Sequence, residues 1–336
     1  FYLCYAITSV PLFNTSAVTN MVWMFYYCET ITTVPLFDTS AVTNMSSMFY
    51  GCRNLASVPL FNTSAVTDMY QMFRVCLRLP TVPLFDTSAG PNMGSMFYGC
   101  RFLTTVPLFD TALVTNMALM FRDCNELITV PLFDTSAVTD MEALFNGCNA
   151  LTSVPLLNTS ACTNMRFMFV QCFSLTTVPL FDTALVTTMQ TMFGWCNRLL
   201  SVPLFDTSAC TYFVGMFNSC TSLITVPLFN TSAATNSYQM FNDCHSLTSI
   251  PALDLSASTS VSGFLNLYSL TRNQVTGMKR AADMRNSKLS SAALNEIYTN
   301  LGTAYNVMSI LQVTGNYGVS GDNPAIATAK GWTITG

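Results

Sequence analysis

Residues 54–77 read NLASVPLFNTSAVTDMYQMFRVCL, and this pattern of 24 residues returns along most of the chain. Its cysteine, Cys76, and its proline, Pro59, each recur at a step of 24 residues through eleven copies. A fixed period of this length predicts a solenoid, in which each copy forms one coil and stacks on its neighbours. We therefore predict an α/β repeat solenoid of eleven coils over residues 1–264, followed by a C-terminal capping region over residues 265–336.

Two apolar patterns within one coil predict a short strand and a short helix. Leu55, Val58 and Leu60 follow the spacing L-x-x-V-x-L, and we expect these side chains to point inward from a strand that ends near the proline. Met69 begins the motif M-x-x-M-F-x-x-C, whose apolar residues fall at i, i+3, i+4 and i+7, one face of a helix of about two turns. Asp68 precedes this motif and suits the N-cap. The coil is thus predicted to place a parallel strand on one face and a helix on the other.

The segment after each predicted strand reads N-T-S or D-T-S in most copies, beginning at Asn62 in the quoted coil. Asn and Asp favour turns because their side chains bond nearby backbone groups. A calcium ladder is the alternative, but seven of the eleven positions are Asp, and like charges stacked on one another repel. The chain also lacks the G-G-x-G-x-D pattern of calcium-binding β-roll repeats. We interpret this column as turn-forming.

The recurring cysteine could form disulfides, bind metal or fill the core. Successive copies would lie about 5 Å apart, but parallel side chains keep their Cβ atoms farther apart than the roughly 3.8 Å of a disulfide. We therefore predict buried free thiols and no metal site, with some disulfides as the alternative. Cys162 and Cys210 take the place of a core valine in their coils. The predicted structural core column comprises Cys28, Cys52, Cys76, Cys100, Cys124, Cys148, Cys172, Cys196, Cys220 and Cys244.

The capping region contains signals for two further coils of different sequence. Ser290 precedes AALNEIYTNLG, which predicts a helix with an N-cap serine that stops at Gly302. A strand is predicted over MSILQV, and Asp322 or Asn323 is predicted to cap a short helix. Residues 332–335 then read as a last strand, so we expect two non-identical coils that extend and close the sheet.

The unit L-T-x-V-P-L-F-D-T-S-A-V-T-N-M-x-x-M-F-x-x-C resembles the BspA-like leucine-rich repeats of bacterial surface proteins, over residues 1 to about 264. The tail, LSSAALNEIYTNLG followed by TGNYG and NPAIATAKGWTITG, is similar to the C-terminal cap found on such repeats in bacteriophage tail-fibre and adhesin proteins. This resemblance implies a right-handed solenoid of strands and helices that is used for attachment outside the cell. It implies no shared catalytic residues.

Charge and motif content argue against several classes of function. Only 9% of the residues are charged, the net charge is −4, and the first lysine is Lys279, so no basic surface for nucleic acid or an anionic membrane is expected. No stretch has the length and apolarity of a membrane span. His245, the single histidine, has no triad or nucleophile motif around it and is interpreted as a surface residue. We predict no catalytic residues, no cofactor and no enzymatic activity.

Comparison among the copies separates a constant face from a variable one. The predicted outward strand positions, such as Ser9, Thr33 and Ser57, are always Ser or Thr, whereas the predicted helix exterior varies. A variable surface rich in Tyr, Trp and Arg suits a specific partner. The bland alternative is drift of exposed positions, and the constant Ser, Thr and Pro face would instead suit a repetitive target such as a polysaccharide, a second rod or ice. The candidate contact residues are Trp23, Tyr26, Tyr50, Tyr70, Arg74, Tyr98, Arg122, Arg166 and Tyr238.

These observations predict a non-catalytic extracellular protein for attachment or recognition, a bacteriophage tail fibre or other virion-surface adhesin that contacts the host. Its expected partner is a host or cell-surface protein or glycan. The alternatives are a bacterial cell-surface adhesin and a purely structural, self-associating rod. Phe1 stands at the coil position that Phe25 and Phe49 occupy, so we expect further sequence upstream.

Overall fold

A computed structural model describes residues 1–261, 263–306 and 308–336. The chain divides into two compact units, Phe1–Cys162 and Thr163–Gly336. In both units the 24-residue copies form coils joined in parallel register. Asn44, for example, forms parallel β-bridges with Asn20 and Asp68 in the first unit.

The motif M-x-x-M-F-x-x-C forms three consecutive turns, so the predicted two-turn helix is wrong. Within residues 69–76, every second N–H donates to the carbonyl three residues earlier, as Met72 does to Met69 at 3.0 Å. The intervening N–H groups donate to the next coil, as Phe73 does to Met96 at 2.9 Å. Because the neighbouring coil takes these donors, the i→i−4 bonds of an α-helix cannot form. The three turns bury the same positions, i, i+3, i+4 and i+7, that one face of a helix would bury. For this reason the apolar spacing predicted a helix.

The backbone of these turns confirms that they are not helical. Gln71 and Val75 have φ of 57° and 61°, in the left-handed region that L-residues rarely adopt. Three coils place a glycine, with φ of 75° to 77°, at the position of Val75: Gly51, Gly99 and Gly147. Positive φ at the third residue is characteristic of a type II turn.

The segment around the proline also departs from the predicted strand. The N–H of Phe61 donates to the carbonyl of Pro59 at 3.0 Å, which closes a three-residue turn with Leu60 at its apex. Phe61 is therefore 2% exposed and Leu60 is 59% exposed, so the predicted inward orientation of Leu60 is wrong. Parallel pairing of the described residues in the first unit is confined to single bridges such as Asn44 with Asp68.

The core of each coil is formed by the strictly repeated apolar residues. The Phe73 ring stacks between those of Phe49 and Phe97, with ring centroids 5.6 and 5.7 Å apart and nearly parallel planes. Within each unit every coil adds one ring to this column, so the aromatic core continues from coil to coil. In the quoted coil the buried apolar side chains are Leu55, Val58, Phe61, Val66, Met69, Met72, Phe73 and Cys76.

All ten cysteines of the predicted core column are buried. The Cys76 thiol donates to the carbonyl of Phe49 at 3.1 Å, and Cys52 and Cys100 make the equivalent bond at 3.0 Å. Burial raises the pKa of the Cys76 thiol well above its ordinary value. The column thus consists of protonated thiols that satisfy backbone carbonyls in the core.

The turn after Phe61 has the predicted Asx geometry. The side-chain oxygen of Asn62 accepts bonds from the backbone N–H and the hydroxyl of Ser64, at 3.2 and 2.8 Å. Thr63, between them, is buried, and its hydroxyl donates to the carbonyl of Asp86 in the next coil at 2.8 Å. The N-T-S segment therefore both turns the chain and ties adjacent coils together.

Within the described residues, the α-helices and the strands of two or more residues all lie in the second unit. β1 and β2 form a parallel pair, and β3, β4 and β5 form a parallel sheet in that order. The elements are β1 (Ser249–Ile250), β2 (Arg272–Asn273), β3 (Ala282–Asp283), α1 (Ser291–Asn300), β4 (Ile310–Gln312), α2 (Ala325–Thr328) and β5 (Thr333–Thr335).

Helix, strand, short helix and strand follow one another after residue 290 in the predicted order. The Ser290 hydroxyl accepts the N–H of Ala293 at 3.3 Å and caps α1 as predicted. The cap predicted for α2 is wrong, because Pro324 is the N-cap residue and no side chain caps this helix. Asp322 instead accepts a bond from the hydroxyl of Tyr298 at 2.5 Å.

Candidate recognition surface

The turns of the first unit hold one side chain per coil in a surface column whose members after Tyr2 are half-buried. In the coil that contains Tyr50, the N–H groups of Phe49 and Gly51 donate to Met72 and Arg74 of the next coil, at 2.9 and 2.8 Å. These bonds flank Tyr50 on both sides, so they fix its register against Arg74. Since Phe49 is buried, Tyr50 projects away from the core.

The same register repeats over six coils and stacks six side chains. The ring centroids of Tyr2 and Tyr26 lie 5.1 Å apart with nearly parallel planes, and those of Tyr26 and Tyr50 lie 4.9 Å apart. We name this set the tyrosine–arginine ladder; it comprises Tyr2, Tyr26, Tyr50, Arg74, Tyr98 and Arg122.

Cation–π contacts continue the ladder beyond Tyr50. The guanidinium carbon of Arg74 lies 5.3 Å from the ring centroid of Tyr50 and 4.2 Å from that of Tyr98. The guanidinium carbon of Arg122 lies 5.1 Å from the ring centroid of Tyr98. Each such contact contributes roughly 0.5–2 kcal/mol, depending on how far it is desolvated. The ladder therefore presents hydroxyl and guanidinium donors from side chains that are already ordered.

The charged groups of the ladder are incompletely satisfied. Within the described residues, the buried Nε atoms of Arg74 and Arg122 have no hydrogen-bond partner. Arg122 approaches Asp123 at 3.8 Å, too far for a hydrogen bond. Burial, followed by the neighbouring Tyr50, raises the pKa of Tyr26, so its hydroxyl is a proton donor throughout the neutral range. The surface favours a partner that supplies acceptor oxygens.

Comparison of the repeat copies placed five of the six ladder residues in one column, but it omitted Tyr2 and did not relate Trp23 to the ladder. Tyr2 belongs to the ladder, and its position 24 residues before Tyr26 was the available signal. Trp23, which is 54% exposed, lies beside the ladder, with its ring 6.4 Å from that of Tyr26 in an edge-on arrangement. Trp23 therefore extends the aromatic surface at the first coils.

The other three predicted contact residues occupy a different column, two residues after the Asx position that bridges the coils. Tyr70 lies in the first unit and is 38% exposed, and its N–H is bonded to the side chain of Asp68. In the second unit, Arg166 lies over the ring of Phe167 and Tyr238 is exposed. The structure does not bring these residues into the ladder.

A second repeated surface was not anticipated at all. The exposed leucine at the apex of the proline turn recurs in successive coils, next to the Asx column. The signal was present in the sequence as a leucine that follows each proline of the 24-residue column from Pro11 to Pro227. Its exposure could not be inferred, because strand alternation places it inside.

The described residues contain no group of three or more His, Cys, Asp or Glu side chains that could hold a metal ion. The ring of His245 lies 5.0 Å from that of Tyr268, and its Nε2 is 3.9 Å from Asp243. No helix in the same part of the chain is long and apolar enough to cross a membrane.

Stacked 24-residue coils that share a core within each unit define a repeat protein of the solenoid class. Overlapping matches to one family cover residues 4–101, 77–177, 124–201 and 163–277. The chain therefore belongs to the family described as Mycoplasma protein of unknown function, DUF285. The overlap of the matched segments reflects the internal repeats.

Three solved structures are similar to the chain. A leucine-rich-repeat protein of T. pallidum is 25% identical, with 45% of this chain and 68% of that chain covered, and a TM-score of 0.37. One from Bacteroides ovatus is 17% identical over 86% and 85%, with a TM-score of 0.43. A leucine-rich cell surface protein of Faecalibacterium prausnitzii is 20% identical over 94% and 86%, with a TM-score of 0.48. All three scores are below 0.5, so these similarities assign neither a function nor a binding surface.

Comparison with curated proteins finds no match. The family match ends at residue 277, and neither it nor the three structures describes a tail-fibre cap. The cap resemblance therefore stays a prediction.

Proposed function

We propose that this protein is a non-catalytic attachment protein that recognises a protein or glycan on a cell surface through the tyrosine–arginine ladder. The observation that carries the proposal is the unbroken stack of side chains over six coils of the first unit. Tyr, Trp and Arg dominate binding energy at interfaces. Stacking also supports the proposal because side chains that are ordered beforehand lose less conformational entropy on binding.

The proposal includes a location outside the cell. A virion or bacteriophage tail fibre is the finer assignment that the sequence resemblance suggests, and a bacterial surface is the alternative, which the naming of Mycoplasma in the family description favours. Antibody labelling of intact, unpermeabilised cells and of purified particles should reveal the protein on one of them. Labelling that requires permeabilised cells would contradict the extracellular assignment.

Binding of the fluorescently labelled protein to intact cells tests the surface itself. We expect the double variant Tyr50→Asn and Tyr98→Asn to bind at least about tenfold more weakly, because it removes both rings that hold Arg74. Asparagine is a matched replacement, since Asn146 occupies the same column further along the chain. The variant should therefore fold, which its unfolding transition will check.

The matched control is the double variant Tyr70→Ser and Tyr238→Ser. Both tyrosines are exposed, both lie outside the ladder, and serine occupies their column at Ser46. This control should bind as the wild type does. Equal loss in both double variants, or wild-type binding by the ladder variant, would contradict the assignment of the ladder.

A further inference from the structure

The exposed leucines form a continuous repeated surface that the ladder does not use. In the first unit, seven leucines at the apex of the proline turn are 58–68% exposed. The residue in the ladder column changes from Tyr to Arg to Asn along the unit, whereas this position is leucine in every coil of the unit. These leucines are Leu12, Leu36, Leu60, Leu84, Leu108, Leu132 and Leu156.

Acidic side chains lie along the same line. A groove of about 320 Å³ between Leu84 and Leu108 is also lined by Asp86 and Asp110. The next groove, of about 370 Å³, is lined by Leu108 and Leu132 with Asp110 and Asp134. We name this set of leucines and aspartates, Leu84, Leu108, Leu132, Asp86, Asp110 and Asp134, the leucine–aspartate stripe.

Asp86 and Asp134 of the stripe are ionised at neutral pH. The hydroxyl and N–H of Ser88 donate to Asp86 at 2.6 and 3.0 Å and lower the pKa of its carboxyl. Ser136 does the same for Asp134. Neither groove is lined by Lys or Arg, so this negative charge has no cation among the lining residues.

A large exposed apolar patch usually marks an interaction site, and the charge selects among the occupants. A second copy docked through the same stripe would bring leucines but no cation, and an anionic membrane would be repelled. A partner with both apolar and basic groups can pack against the leucines of each groove and pair with its aspartates.

The spacing of the coils suits a helical partner. Phenylalanine rings of successive coils beside the stripe, Phe109 and Phe133, lie 6.4 Å apart. An α-helix rises about 5.4 Å per turn, about 1 Å less than this step, so a helix laid along the stripe stays near register with the coils over two or three turns. An amphipathic helix can thus place one apolar side chain per turn between adjacent leucines, with basic residues on its flank.

We propose that the leucine–aspartate stripe of the first unit is a docking surface for a cationic amphipathic helix. Apolar side chains of the helix pack in the grooves between leucines, and its Lys or Arg side chains meet Asp86, Asp110 and Asp134. This surface is separate from the tyrosine–arginine ladder and does not depend on the function proposed for it.

Fluorescence anisotropy with a labelled 21-residue helical peptide of Leu and Lys tests the proposal on the full chain. The same peptide with Glu in place of Lys is the charge control. We expect the Leu/Lys peptide to bind, the Leu/Glu peptide not to bind, and the affinity to fall as salt rises from about 50 to 300 mM, because the charges are exposed.

Two triple variants separate the contribution of the leucines to binding from that of the aspartates. Leu84→Asn, Leu108→Asn and Leu132→Asn should weaken binding at least about tenfold by removing the apolar grooves. Asp86→Asn, Asp110→Asn and Asp134→Asn should remove most of the salt dependence. Both should fold, since the leucines are exposed and asparagine already serves in this column at Asn62.

The variants Phe102→Asn and Tyr98→Asn are the surface controls, because Phe102 is an exposed apolar residue that lines neither groove and Tyr98 belongs to the ladder. Both should retain wild-type peptide affinity. Equal binding of the Leu/Glu peptide, or affinities within about twofold of wild type in both triple variants, would overturn the proposal. So would a wild-type dimer in sedimentation that the leucine variant abolishes while the peptide fails to bind.

Discussion

Adjacent residues in one turn have opposite roles in this protein. Phe109 is buried in the aromatic core and Leu108, its neighbour, lies on the surface. The bond from the N–H of Phe109 to the carbonyl of Pro107, at 3.0 Å, sets this arrangement. Apolar character alone could not distinguish the two residues in the sequence, because only the turn decides which of them faces inward.

Substitution of these neighbours separates core from surface. We expect Phe109→Ala to lower the free energy of unfolding by about 3–5 kcal/mol through loss of core packing, and Leu108→Ala to change it by no more than about 0.5 kcal/mol. Urea unfolding of both variants measures the difference. A larger loss from Leu108→Ala would contradict the turn geometry.

The buried thiols predict a loss of stability in alkali. Burial raises the pKa of Cys76, Cys124 and Cys220 well above the unfolded value. Their stabilising effect is therefore complete below an unfolded thiol pKa of about 8.5 and declines as pH rises above it, by up to about 1.4 kcal/mol per thiol and pH unit. Urea unfolding at pH 7 and pH 9.5 should show the decrease.

The control for this prediction is a variant with Cys76→Ala, Cys100→Ala and Cys124→Ala. It is expected to be less stable at neutral pH because it loses core packing. Its stability should also fall less steeply between pH 7 and pH 9.5, since three titrating thiols are absent. An unchanged slope would indicate that other groups carry the alkaline effect.

At the scale of elements, the sequence predicted which residues of the M-x-x-M-F-x-x-C motif are buried but not the backbone that buries them. Met69, Met72, Phe73 and Cys76 are all inaccessible to solvent, as a helical face would be. Glycine directly before cysteine, as at Gly99, was the sequence signal against a helix. The inter-coil bonds that replace the helical ones are long-range, so no local pattern reveals them.

The order of elements after residue 290 was predictable because its signals are local. The Ser290 cap, the apolar stripe of α1 and the final strand β5 each depend on neighbours in sequence. That α2 has no side-chain cap was not predictable, because the carboxylate of Asp322 accepts a hydrogen bond from Tyr298, which is distant in sequence. In the candidate recognition surface, the repeat placed Tyr26, Tyr50 and Tyr98 in one column, but their stacking with Arg74 required the inter-coil register.

The left-handed positions of the turns predict a stabilising substitution. Val75 is β-branched and has φ of 61°, where a Cβ atom costs roughly 1–2 kcal/mol. We expect Val75→Gly to raise the free energy of unfolding by up to about 1 kcal/mol, as measured by urea unfolding. The chain already uses glycine at this position in Gly51 and Gly99.

Two alanine variants serve as controls for this effect. Val75→Ala should gain less than Val75→Gly, because it retains a Cβ atom at positive φ. Gly99→Ala should lose about 1 kcal/mol through its φ of 75° alone, since a Cβ atom there would make only ordinary contacts, the nearest at 3.5 Å to Val75. A stabilised Gly99→Ala variant would contradict the turn assignment.

At the scale of the whole molecule, the first unit is stabilised by contacts between neighbouring coils. One whole coil is therefore the smallest segment that can be removed while the remaining coils keep their register. Removal of residues 29–52, one complete period, would bring Tyr26 next to Arg74, the partner that Tyr50 has now. Phe25 would likewise stack on Phe73, and the Cys76 thiol would meet the carbonyl of Phe25. Every column continues across the junction, because the deletion preserves the register.

We therefore expect the 24-residue deletion to unfold cooperatively, with a Tm within about 8 °C of the wild type, since one coil interface among many is lost. Deletion of residues 29–40, half a period, is the matched control. It would place the polar Ser57 and Ser64 in register with the buried Met21 and Cys28, so its thermal transition should be broader and at a markedly lower temperature. Thermal unfolding followed by circular dichroism compares the three proteins. If the shorter deletion were tolerated as well as the longer one, the coils would not be stabilised by the column register, and the stacking of the tyrosine–arginine ladder would lose its structural basis.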